Sequence, residues 1–358
     1  MNQRIIGFDL ARAYAIFGMF IVNYSFSFGS IMAPTDSAGY FMSLFTGNST
    51  AIFIICAGIG VSLLSANKTN LEEQKKLKSK ILKRSWFLFG LGLLLFPWWS
   101  GDILHFYGGY LHFAAFILFI DKKYYLIFGF LAILIFHSIL FVIPIEKGWD
   151  FTIFKYTDFW SIEGFLRNTF YNGWNSMFPW LSYFFLGMFL GKLDWQKTSV
   201  KIKIFLTGLF LFLGIQTLRY FAKNDFFSLV WKDYIMAEYY PPYLPFILLT
   251  MAFALMVISF CIFIGEKFSK NYLIQALSKT GQMTLTHYVL HLTLGVIIFA
   301  FLNNKTYTGY LEDEIPTKPY IILSFSVVFY IFCVVFSVIW TKKFKKGPLE
   351  MLMRKISG

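Results

Sequence analysis

The sequence predicts an all-α, polytopic transmembrane helix bundle of about ten helices, and three observations lead there. The 358 residues are 57% hydrophobic and only 14% charged, with a mean hydropathy of +0.61, whereas soluble domains run at about 25% charged residues. Apolar runs near the length that crosses a hydrocarbon core of about 30 Å recur along the chain. Lysine and arginine collect in alternate connections between those runs, as the short cytoplasmic loops of membrane proteins do.

The expected spans are Leu10–Phe28, Phe45–Ser65, Ser85–Trp99, Ile103–Ile120, Tyr124–Ile143, Met177–Gly191, Ile204–Phe221, Tyr243–Gly265, Met283–Leu302 and Tyr320–Trp340. Ser85–Trp99 and Met177–Gly191 are short, and Pro179 opens the second, so nine or eleven crossings remain compatible. Too little polar sequence is left for a soluble domain, and residues 1–358 read as one integral membrane domain. Arg4, Asp9 and Arg12 flank the first apolar run without a small-residue cleavage site, so that run reads as a retained helix and not a signal peptide.

With the N terminus inside, the cytoplasmic side holds Arg4 and Arg12, the seven cations from Lys68 to Arg84, Lys122 and Lys123, the four from Lys192 to Lys203, the three from Lys267 to Lys279, and the six of the tail. These are 24 of the 32 lysines and arginines. Both termini are then cytoplasmic, and the expected location is the cytoplasmic (inner) membrane, crossed many times. The opposite loops carry most of the acids, including Glu312, Asp313 and Glu314. This asymmetry accounts for the net charge of +13 without a nucleic-acid partner. The longest outer loop, Pro144–Ser176, holds Trp149, Trp160, Tyr171 and Trp174, which suit an interfacial belt or a sugar-stacking platform. Cys56, Cys261 and Cys333 lie far apart in apolar runs, with no metal-ligand spacing.

Ionisable residues inside membrane spans are costly and mark functional positions. Three clusters qualify. Asp9 and Arg12, three apart, can pair on one helix face near Arg4; Asn23 lies about three turns further along that face. Asp102 and His105 are one turn apart, with His112 two turns beyond and Tyr107, Gly108 and Gly109 between. A carboxylate beside an imidazole orients it and raises its basicity, as a general base requires, although Asp102 also suits a helix cap. The glycines leave room for the close approach of a helix or ligand. His287 and His291 stand at i, i+4 among Thr284, Thr286 and Tyr288, and suggest a hydrated, hydrogen-bonded cavity or, alternatively, polar helix packing. No third ligand completes a zinc motif there, and no metal is expected. His137, alone on an apolar helix, reads as a satisfied structural histidine. Nucleophile elbows and phosphate-binding glycine loops are missing, so chemistry would be direct, base-assisted transfer.

These segments resemble the YeiB-like membrane proteins of domain-of-unknown-function family 418. The likeness rests on the opening Arg4–Ala13 with Ile21-Val22-Asn23, on Gly101–Tyr107, on Gly281–Tyr288, and on Ser337–Trp340 with Phe344–Arg354, whose Gly347–Glu350 is the most specific part. That family is distantly similar to the heparan-α-glucosaminide N-acetyltransferases and the membrane acyltransferase type 3 clan. The N-acetyltransferase pattern is met by Arg4, Asp9, Arg12 and Val22-Asn23-Tyr24, and by Tyr288 with His291 three residues on. It departs in two places: Arg12-Ala13 replaces an arginine-glycine pair, and residues 29–44 lack the pattern's outer-loop histidine. A retained activity then needs its base from His105, His112, His287 or His291.

The resemblance implies transfer of a short acyl group from acetyl-CoA or another acyl-CoA, held on the cytoplasmic side, to an envelope glycan or lipid acceptor reached from outside. Asn23, His291, His287, His105 and Asp102 are the expected catalytic set, with Arg4, Asp9, Arg12, Tyr107 and Tyr288 at the donor. Lys75–Arg84 and Lys342–Lys346 are further candidates to bind donor phosphates. No permanently bound cofactor is expected. The partners are the bilayer, donor and acceptor, and a homodimer is compatible. The rival reading is a transporter or carrier whose path the same polar residues line.

Overall fold

The computed structural model describes residues 4–29, 36–66, 68–305, 307 and 317–358. Glu312, Asp313 and Glu314 lie outside the described residues. The chain is helical nearly throughout. In order it forms α1 (Ile6–Ser27), α2 (Ser37–Ser43), α3 (Asn48–Ser65), α4 (Leu71–Leu95), α5 (Leu104–Ile117), α6 (Lys122–Leu140), a two-residue hairpin pairing Trp149 with Tyr156, α7 (Ile162–Arg167), α8 (Met177–Leu190), α9 (Thr198–Lys223), α10 (Leu229–Met236), α11 (Leu244–Lys267), α12 (Tyr272–Gly281), α13 (Thr284–Leu290), α14 (Val296–Leu302), α15 (Pro319–Trp340) and α16 (Pro348–Ser357). Single π-helical turns, Asn168–Asn172 and His291–Gly295, follow α7 and join α13 to α14.

Seven helical stretches among the described residues are long and apolar enough to cross a membrane: Ile6–Ser27, Ser37–Ser65, Lys122–Leu140, Thr198–Lys223, Leu244–Lys267, Thr284–Leu302 and Pro319–Trp340. The chain is thus a multi-pass membrane protein. Met177–Leu190 is apolar but shorter. The expected spans Ser85–Trp99 and Ile103–Ile120 take a different form. The first is the apolar half of α4, whose other half is strongly basic, and the second is the 14-residue α5. Such a helix is about 21 Å long, short of a hydrocarbon core of about 30 Å.

Together they make a tight hairpin. Ser85 Oγ donates to the Gly108 carbonyl at 2.7 Å, and a Cβ on Gly108 would press on Phe89 and the Ser85 carbonyl. Gly109 faces Met177 of α8 in the same way. Lipid offers no hydrophobic drive between helices, so such small-residue contact and interhelical hydrogen bonds carry the association. The hairpin tip is buried: Trp99, Ser100, Asp102, Ile103 and His105 are all less than 5% exposed.

The tip is roofed by the segment between α6 and α8. Phe159 stacks on Phe96 with centroids 3.6 Å apart, and Phe154 packs on Phe26 at 4.0 Å. Arg167 organises this roof, donating to Asp158 at 2.5 and 2.7 Å, to Glu163 at 3.1 Å and to the Tyr156 hydroxyl at 2.9 Å. Trp149 and Tyr171 are therefore core residues of the roof, neither a belt nor an open platform; only Trp160 of the expected four is well exposed.

At the opposite end, which carries the start of α1 and the basic half of α4, the amphipathic α16 docks on α4 and α13. Glu350 Oε1 accepts from the Leu285 and Thr286 amides at 2.8 and 3.2 Å, and its Oε2 accepts from the Thr286 hydroxyl at 2.6 Å. These amides are the unsatisfied donors of the α13 N terminus, so Glu350 caps that helix from a distance of 65 residues in sequence.

Glu350→Ala is expected to destabilise the protein by about 1.5–3 kcal/mol, the worth of hydrogen bonds to a charged group. Glu350→Gln, which keeps an acceptor for both amides, should retain most of that stability. Burial raises the Glu350 carboxyl above its ordinary pKa. Its protonation-linked stabilisation is then full below the ordinary carboxylate range and is lost as pH rises through the raised value. Melting temperatures in detergent from pH 4 to 8 should fall with pH more in wild type than in Glu350→Gln; equal melting of the Ala and Gln variants would refute the cap.

Candidate functional site

The hairpin tip brings together residues from three separate clusters of the sequence. Asp102 Oδ2 accepts from the His105 backbone amide and lies against His105 Nδ1, both at 3.0 Å. Asp102 is thus the first-turn cap of α5 and the partner of the imidazole at once. Its Oδ1 accepts from the Tyr288 hydroxyl at 3.4 Å, and that hydroxyl accepts from the Ile103 amide at 3.2 Å. Tyr288 in turn packs its ring edge-on to His291, centroids 5.2 Å apart. His291 Nε2 meets Asn23 Nδ2 of α1 at 2.9 Å. Asn23, His291, Tyr288, Asp102 and His105 therefore form one connected polar line through an otherwise apolar interior.

The partners fix the tautomers. His291 Nδ1 faces the His287 carbonyl at 3.2 Å and carries the proton, so Nε2 accepts from Asn23 and both ring nitrogens are engaged. In His105 the carboxylate holds the proton on Nδ1, and Nε2 is buried with no partner among the described residues. A ring with a carboxylate behind it and a free lone pair in front is the geometry of a general base. His287 turns away from this line to Ser337 of α15 at 2.8 Å. Its Nδ1 is also unpartnered, but no carboxylate backs the ring.

The π-helical turn at His291 explains why α13 and α14 do not form one regular helix. Tyr24 reaches the His291 carbonyl at 3.3 Å, and Trp98 Nε1 donates to the Leu292 carbonyl at 2.6 Å. A Cβ on Gly295 would collide with the Tyr24 hydroxyl. Side groups satisfying carbonyls from outside are what a π-bulge accommodates. The same contacts lock the α4–α5 tip to the π-turn.

The Asp9 cluster lies at the basic end. Asp9 is buried and ion-paired with Arg4 at 2.8 Å and with Arg12, and Ser278 donates to it at 3.3 Å. A Cβ on Gly281 would collide with the Asp9 carbonyl, so the glycine of the Gly281–Tyr288 segment is what lets α12 lie against α1. Beside this cluster is a cavity of about 130 Å³ lined by Arg12, Leu104, Tyr107, Thr284, Leu285 and Met353. Arg12 Nε and the Tyr107 hydroxyl have no partner among the described residues. Cations crowd here: burial and the neighbouring Arg4, Arg354 and Arg12 lower the pKa of Lys346, and burial and Arg354 lower that of Arg84. Crowded cations of this kind favour an anionic ligand.

Other candidates fall elsewhere. The cavity beside the Asp9 cluster reaches Thr284 and Leu285, while the His287 and His291 rings meet Ser337 and Asn23. His112 packs on Trp86 and Phe116 away from the line, since seven residues along α5 separate it from His105 by about 10 Å. His137 is satisfied by the Ile133 carbonyl and the Tyr234 hydroxyl. Among the described residues no three His, Cys, Asp or Glu side chains group as metal ligands. Sequence reasoning assigned no role to Glu350; the specific Gly347–Glu350 segment was the signal for it.

The model for the heparan-alpha-glucosaminide N-acetyltransferase catalytic domain matches residues 4–226, and that for the protein of unknown function DUF418 matches residues 186–358. No curated protein and no solved structure gives a significant match. The polar line draws on both regions, with Asn23, Asp102 and His105 in the first and Tyr288 and His291 in the second. With well over half of its length matched, the chain belongs to the heparan-alpha-glucosaminide N-acetyltransferase catalytic family, and it is DUF418-like over its second half.

Proposed function

We propose that this protein is a membrane acyltransferase that moves a short acyl group from an acyl-CoA thioester to a hydroxyl or amine of an envelope glycan or lipid precursor. The observation that carries the reading is the buried Asp102–His105 pair, with His105 Nε2 free and Tyr288 tied to the same carboxylate. It supplies the base that the missing outer-loop histidine would otherwise provide.

In this reading the basic end faces the cytoplasm, the roof faces outward, and about ten helical segments, counting the α4–α5 hairpin and α8, are embedded in the inner membrane with both termini inside. Acetyl-CoA or another acyl-CoA binds from the cytoplasm. Arg4, Arg12, Arg84, Lys346 and Arg354 attract its phosphates, and its thioester arm enters the cavity toward Leu104 and Tyr107. Tyr107 stands two residues from His105, about 200° around the helix, so it contacts the arm and not the reacting carbonyl, which reaches past Leu104 to meet the acceptor at His105.

His105 Nε2 takes the proton from the acceptor hydroxyl or amine. The acceptor oxygen or nitrogen forms a bond to the thioester carbonyl carbon, the carbon–sulfur bond breaks, and the thiolate leaves, taking up the proton from the His105 imidazolium as it departs as the CoA thiol. Asp102 stabilises the imidazolium that results. The Tyr107 hydroxyl is a donor available to the thioester arm in the cavity. Asn23 and His291 hold Tyr288 and the tip in register.

Transfer of label from radiolabelled acetyl-CoA to envelope extract in proteoliposomes tests the reading. His105→Gln and Asp102→Asn are expected to lower kcat about 10²–10⁴-fold, the span of general-base catalysis, with donor binding retained. His291→Ala and Asn23→Ala should also reduce turnover. Label that never leaves CoA, together with no CoA binding, would sink the proposal and favour a carrier.

The donor site has its own test. Arg12→Ala should raise the donor KM roughly tenfold, the effect of about 1.4 kcal/mol, while Arg12→Lys recovers part of the loss and the acceptor KM stays constant. A donor KM indifferent to Arg12 would place the thioester elsewhere.

A further inference from the structure

A larger cavity, of about 440 Å³, lies away from the polar line. Its lining includes Ile215 and Leu218 of α9, Trp231 and Tyr234 of α10, and Leu244 and Leu248 of α11. Both long helices are of membrane-spanning length, and α9 is the least buried of the seven such stretches, with Phe210, Leu213 and Tyr220 exposed. At one level α9 and α11 touch closely: a Cβ on Gly208 would sit 2.7 Å from the Ala252 carbonyl oxygen. Further along α9 the packing opens, and a Cβ on Gly214 would meet nothing within 4 Å. Ile215 and Leu218 stand about 10–15 Å beyond Gly208 along the axis. The cavity is therefore a wedge whose narrow end is Gly208 and whose wide end is crossed by α10.

The walls of this wedge are apolar, so water entering it would lack the two to four polar partners that hold a buried water. The Tyr234 hydroxyl is engaged elsewhere, donating to His137 Nε2 of α6 at 3.1 Å. The eight-residue α10 exposes Leu229, Val230 and Trp231, as a helix lying in a membrane interface does.

The wide end is basic. Arg219 follows the lining residue Leu218 and is only 17% exposed. Its Nη2 donates to the Met236 carbonyl at the end of α10 at 3.3 Å and lies 3.9 Å from Glu238. A guanidinium has five N–H donors, so these contacts leave most of its capacity unused. Lys223 stands one turn further on, in the last turn of α9. Of the acids nearby in the chain, Asp225 pairs with Lys232 at 2.5 Å, and Asp233 and Glu238 are exposed.

We infer that the wedge binds one membrane phospholipid, with an acyl chain seated between α9 and α11 and the phosphate held by Arg219 and Lys223. An apolar slot in lipid-facing helices, with cations at its mouth, complements a hydrocarbon chain that ends in an anionic oxygen cluster. The site is independent of the acyl-transfer reading. Its occupant braces the roof: Tyr234 ties α10 to α6, and Tyr239 and Tyr240, just past α10, stack on Trp174 at centroid distances of 5.0 and 5.6 Å.

The test is native mass spectrometry of the full chain in detergent, titrated with dioleoyl phosphatidylglycerol, dioleoyl phosphatidylethanolamine or dioleoylglycerol. Wild type is expected to retain one molecule of either phospholipid under activation that strips the rest. Leu218→Trp, which fills the slot, and Arg219→Ala should each weaken that retention about tenfold, equivalent to about 1.4 kcal/mol. Dioleoylglycerol, which has no phosphate, should bind wild type as weakly as the phospholipids bind Arg219→Ala. Leu213→Trp makes the same change on the exposed face of the same helix and should retain lipid as wild type does. The phospholipids should raise the melting temperature of wild type and Leu213→Trp, as ligands of the folded state do, and leave that of Leu218→Trp level. No retained lipid on wild type, or equal retention in all variants as annular lipid alone would give, would overturn the site. A loss in Leu213→Trp equal to that in Leu218→Trp would do the same, and tight binding of dioleoylglycerol would overturn the phosphate contact.

Discussion

A carboxylate at the tip of a buried helical hairpin is the constraint around which this protein is arranged. Asp102 has no exposure, and a charge in that setting costs several kcal/mol unless paired and hydrogen-bonded. Its oxygens are occupied by the His105 amide and ring and by the Tyr288 hydroxyl, which come from α5 and α13. The two helices cannot separate without stranding the charge. Trp98 on Leu292 and Tyr24 on His291 extend the same logic to α1 and the π-turn. Burying this carboxylate at the hairpin tip has thus fixed the relative positions of four elements.

The two unusual helical turns serve that arrangement differently. At His291 the extra residue in the turn frees carbonyls for Tyr24 and Trp98, so backbone polarity is satisfied from neighbouring helices as lipid demands. At Asn168 the turn sits in a roof that has its own polar centre in Arg167 and its own aromatic core. The roof carries the mixed ion pairs and hydrogen bonds of a small soluble domain, whereas the bundle beneath relies on glycine contacts and isolated hydrogen bonds.

The helical class, the multi-pass membrane character and the local pairs of buried polar residues were legible in the sequence, because apolar run length and the cost of buried charge act locally. Asp102 with His105 and Asp9 with Arg12 are pairs within one turn, which spacing alone reveals. The union of Asn23 with His291 was not, since 268 positions separate them and only packing decides that they meet. The hairpin form of Ser85–Trp99 and Ile103–Ile120 escaped for a related reason: an apolar run of 15 to 18 residues reads as a crossing unless the roof that covers its tip is known. The aromatics of that roof gave a composition suited to a surface, and burial followed only from their mutual stacking.

The cavity that holds Arg12 is closed by Met353, and the cap on α13 is supplied by Glu350. Residues from the first and the last helices described therefore line one compartment, and long-range contacts of that kind form late. During synthesis the earlier helices emerge with the α13 amides uncapped and the compartment open at its basic end. The compartment is complete only after α16 has docked, so the order of assembly leaves it unformed until the last of these helices is in place.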